Sequence, residues 1–94
     1  MAKSILKISG EAVAISVRQV KAARALLGWS QRDLVVKSGV SKPTIARLET
    51  VDGELGGYAD TRDKIIAALE KAGVIFVAEN GEGPGVRLKK GKRR

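Results

Sequence analysis

The sequence predicts a mainly α fold, four to five short helices closed by a C-terminal β-hairpin. Three observations point to it. Apolar residues recur at helical spacing from Val20 onward. Serines and glycines sit where helices would start and stop. Near the C-terminus, two β-branched stretches flank a cluster of turn residues. A chain of 94 residues bounds this to one domain with a thin core.

The first fifteen residues are ambiguous: Ile5, Leu6 and Ile8, then Ala12 to Ile15, are each able to form a short strand around Gly10. From Ser16 the pattern is helical. Val20, Ala23 and Leu27 share one face, Ser16 suits the N-cap and Gly28 the C-terminal stop, which predicts a helix over 17–27. Ser30 with Asp33 resembles a capping box, and Trp29 with Leu34 has the spacing of a hydrophobic staple, so a second helix runs over 31–38 and ends at Gly39. Ser41 opens a third, over 42–50. Pro43 is tolerated in its first turn but has no N–H, so Ser41 must cap the N–H of Thr44. Residues 51–59 read as a glycine-rich loop. Asp60 or Thr61 then caps a fourth helix, over 61–72, stopped by Gly73. Residues 74–78 read as a strand, 80–85 as a turn, and 86–89 as the returning strand. The organisation expected is an arm at 1–15, a helical unit at 16–73, a hairpin at 74–90 and a basic tail at 91–94.

Charge is distributed unevenly. Residues 16–50 carry +5, residues 51–86 carry −4, and residues 87–94 carry +6, within a net charge of +8. A basic block and a basic tail suit phosphate neutralisation, though ordinary solubilising charge has the same composition. With only Trp29, Tyr58 and Phe76 as aromatics, the chain lacks the stacking platform of a single-strand binder. It has no cysteine and no histidine, hence no thiolate site and neither the commonest metal ligand nor the commonest general base. No phosphate-cradling glycine loop or paired-acid constellation stands out, and Asp60 and Asp63 read as acids of a helix N-terminus. An enzyme, a metal site and a cofactor are therefore not expected. The start of the chain lacks a long apolar run and a cleavage pattern, so a cytoplasmic, nucleoid-associated protein without membrane contact is expected.

Two short helices joined by a tight turn make a helix-turn-helix when their contact is apolar and the second helix exposes a polar face. Gly39 supplies the turn, and Leu34, Val40, Ile45 and Leu48 the contact; Lys42, Thr44 and Arg47 populate the outer face. The N-terminal half of such a helix enters the major groove. Lysine and arginine there donate to guanine, and the Thr44 methyl and the Pro43 ring suit a thymine methyl.

The runs Ala23-Arg-Ala-Leu-Leu-Gly-Trp-Ser-Gln-Arg-Asp-Leu and Ser38-Gly-Val-Ser-Lys-Pro-Thr-Ile-Ala-Arg-Leu-Glu resemble the phage-repressor (Cro/C1-type, XRE) helix-turn-helix regulators. The segment from Ala72 to Leu88 is similar to the C-terminal hairpin of short bacterial members. The resemblance implies a lambda-repressor-like DNA-binding domain that binds an operator as a homodimer. It implies base reading by Lys42, Pro43, Thr44 and Arg47. It also places Gln31 near the DNA backbone, bracing the first reading residue, with Ser30, Ser41 and Thr50 at phosphate-contacting positions. Arg18 and Arg24 are further candidates for the backbone, and plain solvation accounts for them as well. Two departures matter. Val35 stands where the family commonly has alanine, and Pro43 offers no donor at a reading position, which shifts the specificity towards Lys42 and Arg47.

The function expected is a sequence-specific duplex DNA-binding regulator, a homodimeric repressor or dual regulator on palindromic half-sites. The alternative is an antitoxin or antiactivator that uses the same fold to grip a protein. The hairpin is the expected dimer interface, with the fourth helix as rival. The tail fits a DNA arm or a solubiliser. With no separate ligand domain, no small-molecule ligand is expected.

Overall fold

The structure, a computed structural model, describes residues 14–91. The strand expected around residues 5–8 and the last three residues of the basic tail lie outside that range, as does the first half of the strand expected over 12–15. Four helices and two strands follow in order: α1 (Val17–Leu27), α2 (Gln31–Ser38), α3 (Lys42–Glu49), α4 (Ala59–Lys71), β1 (Val74–Val77) and β2 (Gly85–Leu88). The fold is mainly helical, with a two-stranded antiparallel hairpin at its C-terminal end, as the pattern predicts.

Local chemistry sets the bounds of the first three helices. Ser16 caps α1 reciprocally with Gln19: the Gln19 N–H donates to Ser16 Oγ at 3.1 Å, and the Ser16 N–H donates to Gln19 Oε1 at 2.9 Å. Gly28 ends the helix with φ 71°. The expected box at α2 forms as well, with Asp33 N–H to Ser30 Oγ at 3.1 Å and Ser30 N–H to Asp33 Oδ2 at 2.9 Å. Gly39 closes α2 at φ 77°, a conformation that costs a side-chain-bearing residue about 1 kcal/mol. Only Val40 separates Gly39 from the Ser41 cap of α3, which is what makes the turn tight.

Three helix ends differ from the expectation, one of them the end of α4, which stops at Lys71 and leaves Ala72 as its C-cap. α3 stops at Glu49, because the Thr50 N–H reaches back to the Arg47 carbonyl and the Thr50 hydroxyl donates to the same oxygen at 2.7 Å. α4 begins at Ala59, earlier than expected, and neither Asp60 nor Thr61 caps it. Tyr58 holds the N-cap position without a side-chain bond. The Arg62 N–H closes the first turn onto the Tyr58 carbonyl at 3.0 Å, and the Arg62 side chain donates to the Gly57 carbonyl. A local backbone closure therefore starts this helix without any polar cap.

The core runs through the four helices and β1: Val17, Val20 and Ala23 of α1, Leu34 of α2, Ile45 and Leu48 of α3, Ile65 and Leu69 of α4, and Val74 of β1, with Val86 of β2 half-buried against it. Leu34, Ile45, Ile65 and Leu69 are almost completely buried, and each such side chain contributes about 1.5–3 kcal/mol. Trp29 and Val35 pack half-buried against this cluster. Val35 is thus accommodated at the margin of the core.

The glycine-rich loop is anchored. Leu55 is buried, its N–H donates to the Ile15 carbonyl at 2.8 Å, and the Val17 N–H donates to the Gly53 carbonyl at 2.8 Å. These bonds flank an isolated bridge between Ser16 and Glu54, whereas Ala14 and Ile15, the described part of the strand expected over 12–15, form no strand. In the hairpin, Val74 faces Leu88, Ile75 faces Arg87, Phe76 faces Val86 and Val77 faces Gly85.

The hairpin is fastened to α1 by one buried side chain. Gln19 Nε2 donates to the carbonyls of Gly85 at 2.9 Å and Val77 at 3.2 Å, while its Oε1 serves the Ser16 cap. A buried amide with unmet donors would cost several kcal/mol, so three segments are pinned around it.

Candidate nucleic-acid interface

The geometry of α3 follows from its two sides. Ile45, Leu48 and Glu49 are buried, and they fix the helix against the body. Lys42, Pro43 and Arg47 are exposed, and Thr44 is half-buried. Among the described residues, neither Lys42 nor Arg47 has an acidic partner. The same helix therefore presents two unpaired cations outward while its inner side is locked.

The start of α3 is set by Ser41. Its hydroxyl donates to Thr44 Oγ1 at 2.9 Å and accepts from the Thr44 N–H at a long 3.4 Å. Pro43 makes this the first amide available to the cap, as the sequence requires. The bond also fixes the Thr44 rotamer, and with it the direction of the Thr44 methyl.

The inner side holds a polar network. Arg24 Nε donates to Glu49 Oε2 at 2.9 Å, Arg24 Nη2 donates to Glu49 Oε1 at 2.6 Å, and Arg24 Nη1 donates to the Trp29 carbonyl at 3.0 Å. Gln31 Nε2 adds a bond to Glu49 Oε1 at 2.9 Å. Glu49 is 4% exposed and Arg24 18%. Burial pushes the Glu49 carboxyl up. The hydrogen bonds from Arg24 and Gln31, with the charges of Arg24 and Lys21, outweigh that and hold it below the usual carboxylate range.

This network relocates two of the sequence-derived candidates. All three guanidinium nitrogens of Arg24 donate inside the protein, so this residue braces α3 from behind. Gln31 braces α3 too, but its bond goes to Glu49 in the last turn and not to the first reading residue. Both residues thereby tie α1 and α2 to the C-terminal end of α3.

The remaining candidates lie on the surface. Ser30 and Ser41 are exposed caps; Ser30 Oγ accepts from the Asp33 N–H, which leaves its own hydroxyl proton to donate. Thr50 is exposed, with its hydroxyl turned onto the Arg47 carbonyl. Arg18 is exposed and forms a bidentate pair with Asp52, Nε to Oδ1 and Nη2 to Oδ2, both at 3.0 Å. That pair crosses from the start of α1 to the loop after α3.

Residues 20–50 match the family model described as helix-turn-helix, which covers about a third of the chain. That stretch is similar to a phage-repressor-like (Cro/C1-type) helix-turn-helix. The matched span begins at Val20, includes Arg24 and Gln31, and closes at Thr50, the C-cap of α3. It therefore contains the exposed side of α3 together with the whole Arg24–Glu49–Gln31 network. The helix-turn-helix makes the protein a DNA-binding regulator in general terms. A comparison with curated proteins finds no match. Among the described residues, no group of acids could hold a metal ion, and no helix is long and apolar enough to cross a membrane.

Sequence reasoning missed three contributors. Glu49 reads as an ordinary polar helix residue, and its partner Arg24 is remote in the chain. Gln19 carried a usable signal, since serine followed three residues later by glutamine is a capping box. Asp52 carried none.

Proposed function

We propose that this protein is a sequence-specific transcriptional regulator that binds duplex DNA as a homodimer, with α3 in the major groove, and is not an enzyme. The observation that carries the reading is the outer side of α3, where Lys42 and Arg47 stand exposed and unpaired among the described residues. Lys42 and Arg47 donate to base edges, and Pro43 and the Thr44 methyl add apolar contact. Ser30, Gln31, Ser41, Thr50 and Arg18 serve the phosphate backbone, and Arg24 acts through Glu49 and Gln31. The site of action is the cytoplasm, on palindromic half-sites about one helical turn apart, roughly 34 Å. Repression is the default outcome of such occupancy.

The hairpin is the favoured dimer contact. Ile75 leaves an apolar side chain exposed on β1, and a two-stranded sheet has open edges. Light scattering tests this part: a dimer is expected, and a strict monomer at high micromolar concentration would remove it. The basic tail adds salt-dependent affinity without sequence preference.

Gel-shift or footprinting on DNA upstream of the protein's own gene tests the whole reading, with Arg47→Ala alongside. Wild type is expected to prefer one site over random duplex at physiological salt, and Arg47→Ala to lose that preference. Equal binding to every duplex would defeat sequence-specific regulation.

A further inference from the structure

A concavity of about 290 Å³ lies where the α1–α2 turn meets the last turns of α2 and α4, lined by Trp29, Lys37, Ala68, Lys71 and Ala72. It is separate from the outer side of α3, and nothing in the DNA-binding reading uses it. Its size is at the lower end for small-molecule sites.

The lining has an apolar floor. Trp29 is half-buried, and its backbone is fixed on both sides by Arg24: the Trp29 N–H donates to the Arg24 carbonyl at 2.8 Å, and the Trp29 carbonyl accepts from Arg24 Nη1 at 3.0 Å. The indole is thus carried on a rigid turn. Ala68 and Ala72 project only methyl groups, which is why space remains beside the ring.

The rim is cationic. Lys37 and Lys71 are exposed, and among the described residues neither has an acidic partner. Asp33, one helical turn before Lys37, is engaged with the Ser30 N–H, and Asp60 pairs with Lys64. Among the described residues, no acid lines the concavity. Two lysine side chains and an apolar floor thus share one small concavity.

We propose that this concavity binds a small carboxylic acid with an apolar, ring-sized body. The carboxylate meets Lys37 and Lys71, and the body lies against the Trp29 indole and the two alanine methyls. The sequence gives no sign of such a site, because it sits inside the helical body and not in a ligand domain of its own. A free inorganic anion would leave the floor unused, and a neutral apolar molecule would leave the lysines unused, so the acid is distinguished from both.

Trp29 is the sole tryptophan of the chain, so its fluorescence reports this site directly. The test titrates the full chain, without DNA, with phenylacetate, phenylacetamide and acetate. Phenylacetate is expected to change Trp29 emission saturably. The amide and acetate are each expected to bind at least roughly tenfold more weakly, the factor that one charge-assisted contact or one buried apolar body supplies. A Lys37→Gln, Lys71→Gln double variant is expected to lose roughly tenfold in phenylacetate affinity, with its melting curve unchanged because both side chains are exposed. A linear, non-saturating response overturns the proposal. So does equal binding of acid and amide, or of variant and wild type.

Discussion

Arg24 and Glu49 join the first helix to the last turn of α3 through two parallel hydrogen bonds, at 2.9 and 2.6 Å. The pair is largely out of water, so removing one partner strands the other. Glu49→Ala is expected to destabilise the fold by roughly 2–4 kcal/mol, below the fully buried range because Arg24 keeps partial access to solvent. Glu49→Gln should lose less, since the amide still accepts from Arg24 or Gln31. Urea denaturation of the three proteins checks the order, and equal stability of Glu49→Ala and wild type would contradict it.

The same pair sets an acid limb. In the folded chain the Glu49 carboxyl binds its proton less tightly than the ordinary value of 4.5 that applies when unfolded. The folded state is therefore favoured above that value, and this contribution is lost as pH falls through the depressed folded pKa. Wild type should lose stability steeply below about pH 4.5, and the Glu49→Gln curve should be flatter there. Melting temperatures across that range supply the comparison, and parallel curves would show that other carboxylates carry the acid transition.

What was legible in the sequence tracks how local its cause is. The bounds of α1 and α2 are set by Ser16, Gly28, Ser30 and Gly39, all within a few residues of what they act on. The outer residues of α3 were legible for the same reason, since helical spacing alone separates Lys42 and Arg47 from Ile45 and Leu48. The start of α4 was not, because its N-cap is Tyr58, with no polar side chain to announce it. Glu49 and Gln19 were hidden by distance: their partners lie 25, 58 and 66 residues away, and no short-range pattern encodes such a bond. The role of Gln31 was half legible, as a brace for α3, but its target at the far end of that helix depends on a crossing that the sequence does not state.

Gln19 gives a separable test of the hairpin. Gln19→Ala removes two donors from the Val77 and Gly85 carbonyls and one acceptor from the Ser16 N–H. A loss of about 1–3 kcal/mol is expected from the groups left unmet. Hydrogen exchange should show the β1–β2 amides losing protection more than those of α2 and α3, which keep their own core contacts. Uniform loss across the chain would mean that Gln19 supports the whole fold and not the hairpin in particular.

Asp52 holds Arg18 on the surface. Both side chains are mostly exposed, so Asp52→Asn should leave the melting temperature nearly unchanged. Its expected effect is on DNA. Hydrogen bonding and charge from Arg18 keep the Asp52 carboxyl below its usual range, so it is ionised at neutral pH and holds a guanidinium that the proposed function assigns to the phosphate backbone. With asparagine there, affinity for any duplex should rise, and the slope of log affinity against log salt should steepen by about one. An unchanged slope would show that Arg18 does not reach the backbone.

Arg47 separates specificity from attraction. It stands on the exposed side of α3 with no acidic partner among the described residues, whereas Ile45 and Leu48 on either side of it are buried. Arg47→Ala removes no core contact, so stability should change by less than about 0.5 kcal/mol. Binding to the preferred site should fall by about 1–3 kcal/mol, while binding to random duplex falls far less. Deletion of residues 89–94 should do the opposite under the proposed function, lowering affinity for all sequences alike and flattening the salt slope, as expected of charges that serve phosphate and not base edges. Measured side by side at two salt concentrations, the two variants distinguish a helix that reads bases from one that merely adds charge, and loss of affinity without loss of preference in Arg47→Ala would assign α3 to the second role.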